Sequence, residues 1–115
     1  MESTITKADL NQFTGTEQYY RHWLKGIVYT DGVKFVAESA GAYWLVDLIA
    51  SYQPLEVEFQ VWELRKEGEA WCVECTDGNE NFVLKQDIPY TDFPEDFMPF
   101  EMWFQNGVIF LPSEN

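Results

Sequence analysis

The sequence predicts an α+β fold, an antiparallel sheet of about five to seven strands packed against one main helix, with short helices on the N-terminal side. Two patterns carry that expectation. Between Ala40 and Tyr52, apolar side chains fall at 42, 45, 46, 48, 49 and 52, the spacing of a helix with one buried face. From Val57 to Leu111 the period drops to two, and turn signals rich in Gly and Asn interrupt the apolar runs, as expected for antiparallel strands.

Taken in chain order, Thr6 to Phe13 opens on an N-cap residue with Asp9 three positions later, which predicts a short helix. After Thr14-Gly15, Thr16 is placed to cap a second one through Glu17 to Leu24, with Tyr20, Trp23 and Leu24 at helical spacing. Gly26 to Thr30 and Val33 to Val36 flank Asp31-Gly32, a pair suited to a tight turn, and predict a β-hairpin. The main helix over 40–52 carries a narrow polar stripe of Tyr43, Asp47 and Ser51, and Pro54 stops it. Val57, Phe59 and Val61 then alternate with Glu58 and Gln60, and Trp71, Val73 and Cys75 with Cys72 and Glu74. Glu67-Gly68 separates these strands, and Asp77-Gly78-Asn79 leads to a third from Phe82 to Ile88. An acidic loop over 90–99 precedes two strands, Phe100 to Gln105 and Val108 to Leu111, around Asn106-Gly107, a strong hairpin signal.

At 115 residues, without repeats, low-complexity tracts or linkers, the chain is expected to form a single domain over 1–115. Its hydrophobic fraction of 46% sets it apart from disordered chains despite a net charge of −13. Residues 1–55 hold 6 acidic and 4 basic side chains, whereas 56–115 hold 14 and 3. Such a field repels nucleic acid and membrane surfaces and steers basic partners inward. The start Met1-Glu2-Ser3-Thr4 has neither the positive charge nor the apolar stretch of a secretory signal, so a cytoplasmic address is expected.

Cys72 and Cys75 have a Cys-x-x-Cys spacing, but they lie in a strand-like run where side chains three apart point to opposite faces. With one histidine and no other cysteine, a zinc site lacks ligands, and no metal or cofactor is expected. No phosphate-loop, dinucleotide, zinc-protease or nucleophile-elbow string occurs, and no catalytic residue is assigned. Two groupings remain as candidate sites. Tyr20, Arg21, His22, Tyr43 and Asp47 compose a ligand-binding candidate, in which Arg21 and His22 suit an anion and Asp47 on an apolar helix suits a general base. Asp92, Glu95, Asp96 and Glu101, interleaved with Phe93, Phe97, Met98 and Phe100, compose a partner-binding candidate, whose aromatics equally suit a lid over the core.

The stretches Phe13-Thr14-Gly15-Thr16 through Tyr20-Arg21-His22, Tyr29-Thr30-Asp31-Gly32-Val33 and Ala40-Gly41-Ala42-Tyr43-Trp44-Leu45-Val46-Asp47 resemble a family of uncharacterised bacterial and mobile-element proteins. Phe59-Gln60-Val61-Trp62 and the closing Val108 to Ser113 extend that resemblance over nearly the whole chain. It implies a bacterial, single-domain protein and brings no activity or cofactor.

Two functions follow as expectations. The first is a non-enzymatic acidic module that engages a basic protein, for instance by occupying its nucleic-acid-binding surface as phage and mobile-element inhibitors do. The second is a small-ligand-binding or enzymatic domain with a pocket near Tyr20, His22, Tyr43 and Asp47. The 20 aromatic residues exceed what a core of this size requires, which leaves a homodimer seam as a further use for them.

Overall fold

The computed structural model describes residues 18–24 and 26–114. Seven strands form one sheet: β1 (Tyr19–Arg21), β2 (Val28–Thr30), β3 (Phe59–Glu67), β4 (Ala70–Thr76), β5 (Phe82–Ile88), β6 (Phe100–Gln105) and β7 (Val108–Phe110). Helices α1 (Asp31–Ser39) and α2 (Tyr43–Ser51) lie between β2 and β3. The strand order is β1-β2-β7-β6-β3-β4-β5, and every neighbouring pair is antiparallel except β2 and β7, which run parallel. The α+β expectation therefore holds, with two nine-residue helices among the described residues where one main helix was expected.

The hairpin expected around Asp31-Gly32 does not form. Val28–Thr30 is a strand, but Asp31 starts helix α1, and Gly32 is not among the positive-φ glycines. Thr30 decides it. Its backbone is extended, its Oγ1 accepts the Val33 N–H at 3.2 Å, and it caps a run whose buried Val33, Val36 and Ala37 have helical spacing. The helix expected over Glu17 to Leu24 is also corrected: Tyr19–Arg21 pairs with β2 as a strand. The helix expected over Thr6 to Phe13 lies outside the described residues.

Helix α2 buries Leu45, Val46, Leu48, Ile49 and Ala50 against the sheet. The expected polar stripe is seen, with Tyr43 and Ser51 exposed and Asp47 half-buried. Gly41, at φ +61, makes the turn between the two helices. On the sheet, the face toward the helices carries Trp62, Leu64, Trp71, Val73, Cys75, Phe100, Met102, Phe104 and Ile109, all buried. Burying each large side chain of this kind contributes roughly 1.5–3 kcal/mol before chain entropy is counted. Strand β3 has the unexpected parity: Gln60, Trp62 and Leu64 point inward, and Phe59 and Val61 are only half-buried on the other face. The Asn106-Gly107 hairpin forms as expected, with φ values of 55 and 78.

Candidate functional site

The structure brings Tyr20, His22, Tyr43 and Asp47 of the ligand-binding candidate to one side of the sheet and leaves Arg21 out. Tyr20 and Arg21 are successive residues of β1 and point to opposite faces. Tyr20 stacks on Tyr29 at 5.7 Å, Tyr29 meets Tyr43 edge-on at 6.4 Å, and Lys34 Nζ sits 4.6 Å above the Tyr20 ring. Burial, with help from Glu38 and Tyr29, pushes the Tyr43 hydroxyl above its usual pKa.

His22, buried just beyond β1, reaches Asp47 on α2, with Nε2 2.6 Å from Oδ1. Its other nitrogen, Nδ1, accepts the Leu24 backbone N–H at 3.1 Å. A nitrogen that accepts an N–H carries no proton of its own, so Nε2 bears the hydrogen and donates it to Asp47. Both ring nitrogens are thereby committed, and a general base would first have to give up a bond. This pair fastens β1 to α2.

The acidic candidate divides. Phe93, Phe97 and Phe100 are buried against one another, with Phe93 4.8 Å from Phe100 and 6.0 Å from Phe97, so the loop between β5 and β6 is a lid on the core. Glu95 pairs with Lys66 and Asp92 accepts from the Tyr90 hydroxyl on that side. Asp96 is exposed nearby, on the short 3-10 turn Glu95–Phe97. Glu101 alternates with buried Phe100 and Met102 and therefore points to the opposite face of the sheet.

That opposite face holds an arrangement that sequence reasoning missed. Register places Glu101 of β6, Glu63 of β3 and Glu74 of β4 directly abreast. Neighbours in such a row have Cβ atoms about 4.5–5.5 Å apart, and like charges so placed destabilise a sheet. Glu63, Glu74 and Glu101, with Glu80, Val61, Thr76, Gly78 and Trp103, line a concavity of about 470 Å³. Arg65 partly balances the row, with Nη1 3.1 Å from Glu63 and 2.9 Å from Glu74 and Nη2 3.4 Å from Glu67. Burial works against its charge, but the hydrogen bonds to Glu74 and Glu63 outweigh it and hold the guanidinium above its usual pKa.

Trp103 Nε1 donates to Glu101 at 2.8 Å, and its ring lies edge-on between Phe59 at 5.2 Å and Phe110 at 6.0 Å. Glu80 is held at the rim by the turn after β4, where Asp77 accepts from the Asn79 and Asn81 backbone and from the Asn81 side chain. These bonds, the Asn81 side chain first, keep the Asp77 carboxylate below its usual pKa, and Glu80 takes a left-handed φ of 68. The one signal for this site in the sequence is Trp62-Glu63-Leu64-Arg65, where charge alternates with the buried face.

Among the described residues, no group of three His, Cys, Asp or Glu is arranged to hold a metal ion. Burial pushes the Cys75 thiol up to about 12, and burial, with a contact to Glu67, raises Cys72, so neither favours the reactive thiolate. No helix among the described residues is long and apolar enough to cross a membrane.

A family model for a family of unknown function, DUF6876, matches residues 4–115. The chain belongs to that family. No curated protein and no solved structure matches it. Membership in DUF6876 names no chemistry.

Proposed function

We propose that this DUF6876 chain is a non-enzymatic acidic interaction module of the bacterial cytoplasm, which binds a basic protein through the open face of its sheet. The observation that carries this reading is the row Glu101, Glu63 and Glu74, abreast in a concavity that also contains Glu80 and Trp103. Three like charges in register cost stability, and a cation from outside relieves that cost. Arg65 and Lys85, the latter next in the row opposite Glu74, serve only its Glu63–Glu74 end and make no ion pair with Glu101 or Glu80. Arginine or lysine of a partner fits the remainder: the carboxylates accept its hydrogen bonds, and the indole attracts its charge. The acidic excess of residues 56–115 steers such a partner toward the site.

The alternative, a small-ligand-binding or enzymatic domain with a pocket near Tyr20, His22, Tyr43 and Asp47, is weaker, because the Asp47 carboxylate expected to act as base is already held by His22, whose two ring nitrogens both have partners.

The test compares partners captured from host lysate by the immobilised chain and by two variants, washed at low and high salt. Glu80→Gln/Glu101→Gln alters the concavity and leaves the Arg65 pairs intact, whereas Asp92→Asn/Asp96→Asn changes the lid. A basic protein released by salt, lost with the first variant and retained by the second, supports the reading. Capture insensitive to salt, or equal with both variants, contradicts it.

A further inference from the structure

Among the described residues, the outer side of β5 pairs with no strand and presents a sheet edge seven residues long. Unpaired edges recruit other strands unless something blunts them. The sequence across this edge is self-complementary about Gln86. Lys85 and Asp87 flank it with opposite charge, Leu84 and Ile88 come next, and the strand ends there at a bend on Pro89.

Lys85 and Asp87 are both exposed, whereas Leu84 is half-buried and Ile88 buried. Lys85 and Asp87 lie on one face, since their partners on β4 are Glu74 and Cys72. Gln86 is anchored from the inner face, where its Oε1 accepts the Tyr52 hydroxyl at 2.5 Å.

We propose that β5 is the dimerisation edge of this protein, pairing antiparallel with β5 of a second copy about a two-fold axis at Gln86. In that register each Lys85 faces the partner's Asp87 and each Leu84 the partner's Ile88. A two-fold contact must be complementary to itself, and opposite charges at equal offsets from the centre meet that condition where like charges would not. Main-chain hydrogen bonds supply the affinity, and the side-chain pairs set the register. The net charge of −13 on each copy opposes association. At ordinary ionic strength that repulsion is screened beyond about 8 Å, so the local pairs across the seam decide the outcome.

Sedimentation equilibrium of the full chain tests the proposal with three variants. Both charged side chains are exposed, and circular dichroism confirms that each variant is folded. The wild type is expected to be a dimer in the upper micromolar range. Lys85→Asp and Asp87→Lys each place like charges opposite one another twice per dimer and raise Kd by about tenfold or more. The exchange Lys85→Asp/Asp87→Lys keeps the net charge, restores both pairs and brings Kd back near the wild-type value. A monomeric wild type, single variants that dimerise as the wild type does, or a double exchange that stays monomeric overturns the proposal.

Discussion

Gln53 and Gln60 hold each other through both ends of their side-chain amides, with Gln53 Nε2 2.8 Å from Gln60 Oε1 and Gln60 Nε2 3.2 Å from Gln53 Oε1. Both are buried, one just after α2 and one on the inner face of β3. Trp62 Nε1 donates to the same Gln60 oxygen at 2.9 Å, and the two amides also donate to the Ile49 and Val57 carbonyls at 3.1 Å. No buried side-chain polar atom among the described residues lacks a partner. Helix and sheet are thereby locked in register by a fully satisfied polar network.

Gln60→Leu takes the acceptor from the buried Trp62 indole N–H and breaks both Gln53–Gln60 bonds, leaving Gln53 Nε2 its bond to the Ile49 carbonyl. Unsatisfied buried groups cost about 1–3 kcal/mol each, so the variant is expected to lose about 2–4 kcal/mol in chemical denaturation. Adding Gln53→Leu should cost less than the sum of the two single changes, because the groups share one network.

Gly78 supports the rim of the acidic concavity. At φ +86, a Cβ built there comes within 2.8 Å of the Phe59 ring, whereas at Gly41, φ +61, a Cβ meets nothing within 4 Å. Gly41→Ala should therefore cost only the backbone strain, on the order of 1 kcal/mol. Gly78→Ala should cost about 1–3 kcal/mol more, because the ring must move. Thermal unfolding of the two variants measures the difference.

Glu114 packs its carboxylate against the first turn of α1, accepting from Thr30 Oγ1 at 2.7 Å, Leu111 N at 2.8 Å and Gly32 N at 3.2 Å. Burial raises its pKa above the usual 4.5, and these bonds only partly oppose that. A raised folded pKa means that the folded state holds the proton more tightly than the unfolded one. The stability it contributes is full below about 4.5 and is lost as pH rises through the higher folded value. Glu114→Gln is expected to flatten the decline of stability with pH in that window, measured by urea denaturation at a series of pH values.

The fold was legible where local chemistry is decisive. Asn106-Gly107 specified its turn, and the spacing of Leu45, Val46, Leu48 and Ile49 specified α2. It was misread where two local signals compete. Asp31-Gly32 resembles a hairpin turn, but Thr30 capping and the spacing of Val33, Val36 and Ala37 favour a helix. The inward turn of Gln60 was hidden because its acceptor and donor come from Gln53, across the layer boundary. The candidate site was hidden for a stronger reason. Glu63, Glu74 and Glu101 are far apart in the chain, and only the register of three strands sets them abreast.

The central claim concerns that row and is tested by titrating the isotope-labelled protein with a short peptide of alternating arginine and glycine, followed by NMR. The account predicts shifts at the Trp103 indole N–H, Val61, Thr76 and Glu80 that vanish at high salt and in Glu80→Gln/Glu101→Gln. Shifts confined to the lid around Asp92, Glu95 and Asp96, or none at all, would contradict it.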